Sequence, residues 1–230
     1  MLSGIAKKNA FINPLSKNSY NCSIFEFKMH CMQLDFKQDY ILENEKVLLR
    51  PLLSGDHVNL LSFSLNEPGI WKYSLISAAG SEGLNNYISI ATNARIEEKE
   101  YPFIIYDKQK GRYAGSTRFY DIQHEFDTMQ LGYTWYGSQF QGTGLNKNCK
   151  LLLLEFAFEK CGVERVEFRA DNDNVRSIAA MKSIGCKVDG ILRSNMPRPT
   201  ELPGRRDSIV LSILKDEWFN EVKQKLQERL

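Results

Sequence analysis

The sequence predicts one mixed α/β domain, and three observations carry that prediction. Short β-branched and aromatic runs alternate with longer stretches whose apolar residues recur at helical spacing, in the order β-α-α-β-β-β-α-β-α-β-β-α. Three of the strands follow one another directly and so form an antiparallel meander. The next is reached only through a long helix, so it is expected to run parallel to its predecessor. The 230 residues, 43% apolar and 25% charged, hold no internal repeat or low-complexity tract and suffice for one sizeable core.

The elements follow in order. Lys46-Val-Leu-Leu-Arg-Pro-Leu52 is a strand that Pro51 ends. Asp56 precedes Val58, Leu60, Leu61 and Leu65 at helical spacing and suits the N-cap; Glu67-Pro-Gly69 then breaks the helix. Leu84, Tyr87, Ile88 and Ala91 mark a second helix from Ser81 to about Glu98. Strands Tyr101 to Tyr106 and Tyr113 to Ile122 flank a polar turn containing Gly111, and Thr128 to Tyr136 is the third strand of the meander.

Leu145, Cys149, Leu152, Leu153 and Phe156 then form one face of a long helix that stops at Gly162. Val166, Phe168 and Ala170 alternate with Arg165, Glu167 and Arg169 in the crossover strand. Asn174 caps a helix bearing Ile178 and Met181, with Gly185 just past its end. Lys187 to Ser194 and Asp207 to Leu214 are the last strands. Asp216 is positioned to cap a final helix carrying Trp218, Val222 and Leu226.

Composition excludes several function classes. The net charge is +2, but residues 1–31 alone hold four lysines against Glu26, which leaves the remainder at −1. A body so near neutrality carries no nucleic-acid footprint. No apolar run approaches the roughly 18 residues that span a bilayer. The five cysteines are scattered, without C-x-x-C or a nearby His, and read as free thiols in a reducing compartment; no metal site is expected. Residues 1–31 show neither alternation nor a helical stripe and lack a secretory h-region. They are expected to be a flexible or mis-started extension, with the domain proper at 32–230.

Chemistry concentrates in Tyr133-Thr-Trp-Tyr-Gly-Ser-Gln-Phe-Gln-Gly-Thr-Gly-Leu-Asn146, where a strand leads through a glycine-containing loop into the long helix. Gly142 and Gly144 let the backbone approach a ligand closely, and the first helical amides point at it unpaired, which suits a pyrophosphate. No Lys-Ser/Thr follows the second glycine, so a nucleotide-hydrolysing P-loop fails. The dinucleotide fingerprint also fails, because three antiparallel strands precede the glycines.

Gln139-Phe-Gln-Gly142-Thr-Gly144 resembles the Q/R-x-x-G-x-G/A signature of the GNAT superfamily of acetyl-CoA-dependent N-acetyltransferases. Asn174-Val-Arg-Ser177 followed by Gly185 resembles the N-x-x-S…G segment of its ribosomal-protein N-acetyltransferase (RimJ/RimL-like) branch. Leu131-Gly-Tyr-Thr-Trp-Tyr136 looks like that branch's acceptor-lining strand. The resemblance spans Met32 to Trp218.

It implies a central, mostly antiparallel seven-stranded sheet with helices on both faces, whose fourth and fifth strands splay to admit the pantetheine arm. Main-chain groups of Trp135 and Tyr136 would hold that arm. Amides of Gln139, Phe140, Gln141, Gly142, Thr143, Gly144 and Leu145 would hold the pyrophosphate. Asn174 would touch the pantetheine and Ser177 would lie near the sulfur. Homodimers are common in the family, and a cytoplasmic location is expected.

The family reaction is direct attack of a neutral amine on the thioester in a ternary complex. An α-amine with pKa ~8 is roughly a tenth neutral at pH 7, whereas a lysine at ~10.4 is neutral below about one part in a thousand, so a protein N-terminus is the favoured acceptor. Ser177 is nominated to serve the departing thiolate. Relatives carry a glutamate where this chain has Met196, and a carboxylate where it has Gln130. Glu125, with His124 and Asp121 beside it, is the candidate base, a water relay being the alternative. Acceptor specificity is expected from the loop around Trp71 and Tyr73 and from Asn195 to Asp207, with Arg198, Arg205 and Arg206 read as solvating that loop. Rival readings are a small-amine acetyltransferase and a catalytically silent acyl-CoA-binding module, the latter motivated by Met196.

Overall fold

A computed structural model of the chain describes residues 32–199 and 202–230; the expected N-terminal extension, 1–31, lies outside them. Its strands are β1 Leu42–Glu43, β2 Val47–Pro51, β3 Tyr101–Asp107, β4 Arg112–Gln123, β5 Thr128–Tyr136, β6 Arg165–Asp171, β7 Lys187–Pro197 and β8 Arg205–Leu214. They form a single sheet in the order β1-β2-β3-β4-β5-β6-β8-β7. Every neighbouring pair is antiparallel except β5–β6. The sheet thus has eight strands where seven were expected. The extra one, β1, is a two-residue strand against Leu48 and Leu49, too short to leave a periodic signal.

The helices are α1 His57–Asn66, α2 Gly80–Ile96, α3 Leu145–Glu155 with a π turn over Phe156–Lys160, and α4 Val175–Ser183. The terminal helix, α5, runs through Lys215–Glu217, a π turn at Trp218–Val222, and Lys223–Gln227. Two expected caps differ. Asp56 makes no side-chain bond to the first amides of α1; instead it takes Leu53 N at 2.9 Å and a two-pronged pair with Arg50 at 2.6 and 2.8 Å. Asp216 lies inside α5, and Glu217 reaches back to Leu214 N at 3.0 Å. Asp56 is drawn to the guanidinium, a stronger donor than a helix amide, whereas at α5 the helix begins at Lys215, before the expected cap, and Glu217 is the carboxylate in reach of the Leu214 amide.

Consecutive residues of β5 show how the layers are arranged. Trp135 packs on Phe63 of α1, ring centroids 5.9 Å apart, while the next residue, Tyr136, reaches Asn146 of α3 through its hydroxyl at 3.2 Å. Adjacent strand residues point to opposite faces, so α1 and α3 lie on opposite sides of the sheet. On the α3 side Trp218 of α5 stacks on Phe158 at 5.6 Å. Met32, Leu34, Phe36 and Tyr40 tie the segment before β1 into the same core. Among the described residues no helix is long and apolar enough to cross a membrane, and no group of His, Cys, Asp and Glu is placed to hold a metal ion.

Candidate active site

The site begins where two strands part. β5 and β6 pair only at Thr128–Arg165, Met129–Val166 and Gln130–Glu167. Past that point Leu131–Tyr136 has no strand on its β6 side, and β6 continues to Asp171 against β8 alone. A sheet edge inside a fold leaves main-chain groups free to pair with something extended.

A bulge opens the gap. Between the pairs Arg118–Gly132 and Ser116–Trp135, Tyr133 and Thr134 of β5 stand opposite the single residue Thr117. Tyr133 takes φ 48°, a left-handed conformation costly for a non-glycine residue. Arg118 compensates: its guanidinium lies 3.8 Å from the Tyr133 ring centroid and 4.9 Å from that of Tyr87, and it pairs with Glu100 at 2.5 Å. A side chain on residue 115 would bring its Cβ to 2.0 Å from the Trp135 carbonyl oxygen, so Gly115 is required beside the open segment.

Beyond Tyr136 the chain turns through Ser138–Phe140 into the N-terminus of α3. Phe140 is buried and anchors the loop against Phe63, and Gln141 Nε2 donates to Tyr136 O at 2.7 Å. Gly142 and Gly144 take φ 77° and 87°, and a Cβ at either would meet nothing within 4 Å, so both face open space. The amides of Gly142, Thr143, Gly144 and Asn146 find no partner among the described residues; that of Leu145 makes one long contact, 3.4 Å, to Thr143 Oγ1. No acid stands in the first turn of α3, and Lys110 Nζ lies 2.6 Å from Gln139 O. Free amides, a helix N-terminus and a nearby cation make a cradle for a phosphate-class anion. Of the loop amides named from sequence, two are corrected: Phe140 N donates to Gly137 O at 2.9 Å and Gln141 N to Ser138 O at 3.1 Å, because the chain turns tightly there, and the Phe140 side chain is structural.

The opposite wall is the end of β6 and the start of α4. Asn174 caps α4, its Oδ1 accepting from Ser177 N at 3.1 Å, and the Ser177 hydroxyl is left half-buried. Asp171, its side chain wholly buried, accepts on Oδ1 from Asp173 N at 3.0 Å and Arg198 Nη2 at 3.1 Å. Among the described residues its Oδ2 has no partner, nor has Ser208 Oγ on the residue directly across in β8, nor Arg206 Nε two residues earlier. Buried polar atoms without partners are uncommon, and three together mark a place that takes a polar ligand or water. Arg206 is buried, and burial holds its guanidinium below the usual range. The expectation that it solvates the loop is therefore corrected. Arg198 pairs with Asp171 and Asp173.

The base nominated from sequence is not brought to this site. Glu125 is exposed in the β4–β5 turn, at the end of β5 where β6 is still paired. Tyr136 lies at the other end of that nine-residue strand, roughly 25 Å away at ~3.3 Å per residue. His124 shares the turn and rests 6.2 Å from the Phe36 ring. Asp121, on a second bulge, accepts from Gln130 Nε2 at 2.6 Å near the point of parting. Trp71 is core, its ring 5.0 Å from that of Trp135, and not the groove-lining aromatic its loop position suggested.

Sequence reasoning missed Arg118, Asp171 and Lys150. Arg118 and Asp171 sat at strand positions with ordinary alternation and gave no signal. Lys150 broke the apolar face of α3, which was a signal.

The profile of the acetyltransferase (GNAT) domain matches residues 46–187, more than half of the chain. An uncharacterized N-acetyltransferase, p20, of Bacillus licheniformis is 23% identical over 178 residues, covering 77% of this chain and 97% of that protein. Among solved structures, a GCN5-related N-acetyltransferase from Brucella melitensis superposes with TM-score 0.77 at 21% identity, covering 86% of this chain and 88% of its own. Mycobacterium smegmatis RimJ in complex with CoA-disulfide superposes with TM-score 0.69 at 17% identity, over 83% of this chain and 93% of its own. With the parted strands and the amide cradle already in place, the match identifies the chain as a member of the GNAT family and an acetyl-CoA-dependent acyltransferase.

Proposed function

We propose that the protein moves the acetyl group of acetyl-CoA to a protein N-terminal α-amine, by direct attack in a ternary complex, as a member of the RimJ/RimL-like branch. The observation that carries this reading is the continuity of one path. The unpaired edge of β5 runs directly into the amide cradle at Gly142–Leu145, and Asn174 and Ser177 stand on the facing wall. An extended amide-containing arm ending in a diphosphate matches that path in shape and polarity. Bound acetyl-CoA supplies the activated acyl carbon.

The chain's own residues would then act as follows. Main-chain groups of Trp135 and Tyr136 align the arm, and the free amides from Gly142 to Asn146 hold the diphosphate. Ser177 donates to the leaving sulfur. Asp171 Oδ2, unpartnered on the wall of the gap, accepts a hydrogen bond from the attacking amine. It does so in place of the carboxylate that this branch carries where Met196 stands. The α-amine needs no strong base, since its neutral fraction at pH 7 is already roughly a tenth.

The test is thiol release with acetyl-CoA and three matched peptides: one with a free N-terminus, one blocked there with a free lysine, and one with neither. Acetylation of the first alone, located by fragment mass, is the expected result. Transfer only to polyamines or free amino acids would replace the acceptor. Tight CoA binding with no release from any amine would replace the enzyme with a binding module.

A further inference from the structure

Lys150 is an unusual residue to find in α3. Only 5% of it is exposed, and among the described residues its Nζ makes a single hydrogen bond, to Thr134 Oγ1 at 3.0 Å. The same Nζ lies 5.6 Å from the ring centroid of Phe168. Thr134 belongs to β5 and Phe168 to β6, and both lie past Gln130–Glu167, the last pair joining those strands. The ammonium therefore sits at the gap between the parted strands, on the α3 side. Thr134 is itself engaged with Thr117 Oγ1 at 2.7 Å, so it offers Lys150 no more than one acceptor. Among the described residues, two of the three ammonium N–H groups have no hydrogen-bond partner.

No carboxylate offsets this charge: among the described residues Lys150 forms no ion pair. The titratable groups facing it are two thiols, Cys149 on its own helix and Cys186 just before β7, and burial pushes both up to about 12, so they stay neutral. Burial in turn draws Lys150 down to about 8. A leucine or methionine would fill the same space at lower cost, and a tether to Thr134 needs only a neutral donor. The arrangement makes sense if an acceptor-bearing ligand enters the gap.

We propose that Lys150 is a direct ligand of the cosubstrate's acyl-pantetheine arm, donating its spare N–H groups to amide or thioester carbonyl oxygens of the arm in the gap between β5 and β6. The inference rests on the acetyl-CoA reading above and adds a side-chain contact from α3 to it. A carbonyl is the matching partner because the arm is uncharged and its polar atoms in reach are amide and thioester oxygens. The ammonium form donates more N–H groups and donates them more strongly than the neutral amine, so cosubstrate affinity falls as pH rises through about 8.

The experiment is calorimetric titration of the full chain and of Lys150→Met with two probes: CoA, and adenosine 3′-phosphate 5′-diphosphate, which keeps the anionic end and lacks the arm. Lys150→Met is expected to weaken CoA at least tenfold and to change the armless nucleotide less than twofold. Between pH 7 and 9 the unaltered chain should lose CoA affinity relative to the armless probe, and the variant should not. Equal weakening of both probes, or of neither, overturns the contact. Failure of the unaltered chain to bind either probe overturns the acetyl-CoA reading and the inference with it. As a readout independent of any variant, the Lys150 side-chain resonance should shift on adding CoA and stay in place with the armless probe.

Discussion

Arg118 and Tyr133 are locked face to face, the guanidinium 3.8 Å from the ring centroid, and Tyr133 is the residue whose φ of 48° bends β5 away from β6. The residue that strains the strand is thus also the one the buried cation holds. Glu100 closes the arrangement from the residue just before β3, so the gap is propped from outside the strands that form it. Arg118→Met leaves Glu100 without its cation and Tyr133 without its support. The expected loss is about 2–3 kcal/mol in a urea unfolding curve, together with weaker CoA binding. A loss within the scatter of ordinary surface substitutions would show that the bulge holds itself.

The cradle makes a different demand. A side chain at residue 142 meets no protein atom, but a β-branched residue at φ 77° is strained by about 1–2 kcal/mol, and its methyls project into the space the free amides face. Gly142→Val should therefore fold, melt a few degrees lower, and bind CoA at least tenfold more weakly by calorimetry. Unchanged affinity would remove the cradle from the binding site.

Ser177 and Asn174 separate cap from chemistry. The cap bond runs from the Ser177 backbone amide to Asn174 Oδ1, so Ser177→Ala keeps it and should preserve both stability and CoA affinity while lowering turnover several-fold. Asn174→Ala loses the cap and should cost about 1 kcal/mol in stability. If Ser177→Ala leaves the steady-state rate intact, the leaving sulfur is served from elsewhere.

Asp171→Asn tests the acceptor side. The amide keeps the shape, but with its oxygen held by Asp173 N and Arg198 it presents an N–H donor where Oδ2 stood, and a drop in turnover of at least tenfold with CoA affinity preserved is expected. Glu125→Gln, at the remote turn, should match the unaltered enzyme in the same assay. The reverse ranking of the two variants would reinstate the hairpin carboxylate.

Lys150 predicts how stability varies with pH in the absence of ligand. Its folded pKa of about 8 lies below the ~10.4 of an unfolded lysine, so over that interval the unfolded chain binds more protons. The penalty, on the order of 3 kcal/mol, is fully present below about pH 8 and is relieved as pH rises towards ~10.4. Lys150→Met should thus be the more stable protein at pH 7, and its advantage should shrink across that window when melting is followed at successive pH values.

Periodicity and turn chemistry by themselves determine much of this protein. The alternation of Val166, Phe168 and Ala170, the helical face from Leu145 to Phe156, and the glycines at 142 and 144 are local patterns that report on backbone geometry directly. They place the strands, the crossover and the cradle. Asn174 was legible as a cap for the same reason: its bond to Ser177 spans three residues.

What tertiary structure alone decided is which distant groups share the gap. Glu125 looked available because it stands in the turn between the second and third strands of the meander, yet that turn lies at the end of β5 remote from the cradle. Asp171, Ser208 and Arg206 come from two segments that only the β6–β8 pairing brings together, and Lys150 reaches Thr134 and Phe168 only because α3 packs over the parted strands. Sequence periodicity encodes which side of its own element a residue faces. It carries no record of what stands opposite, because that is set by strand order and by packing between elements remote along the chain.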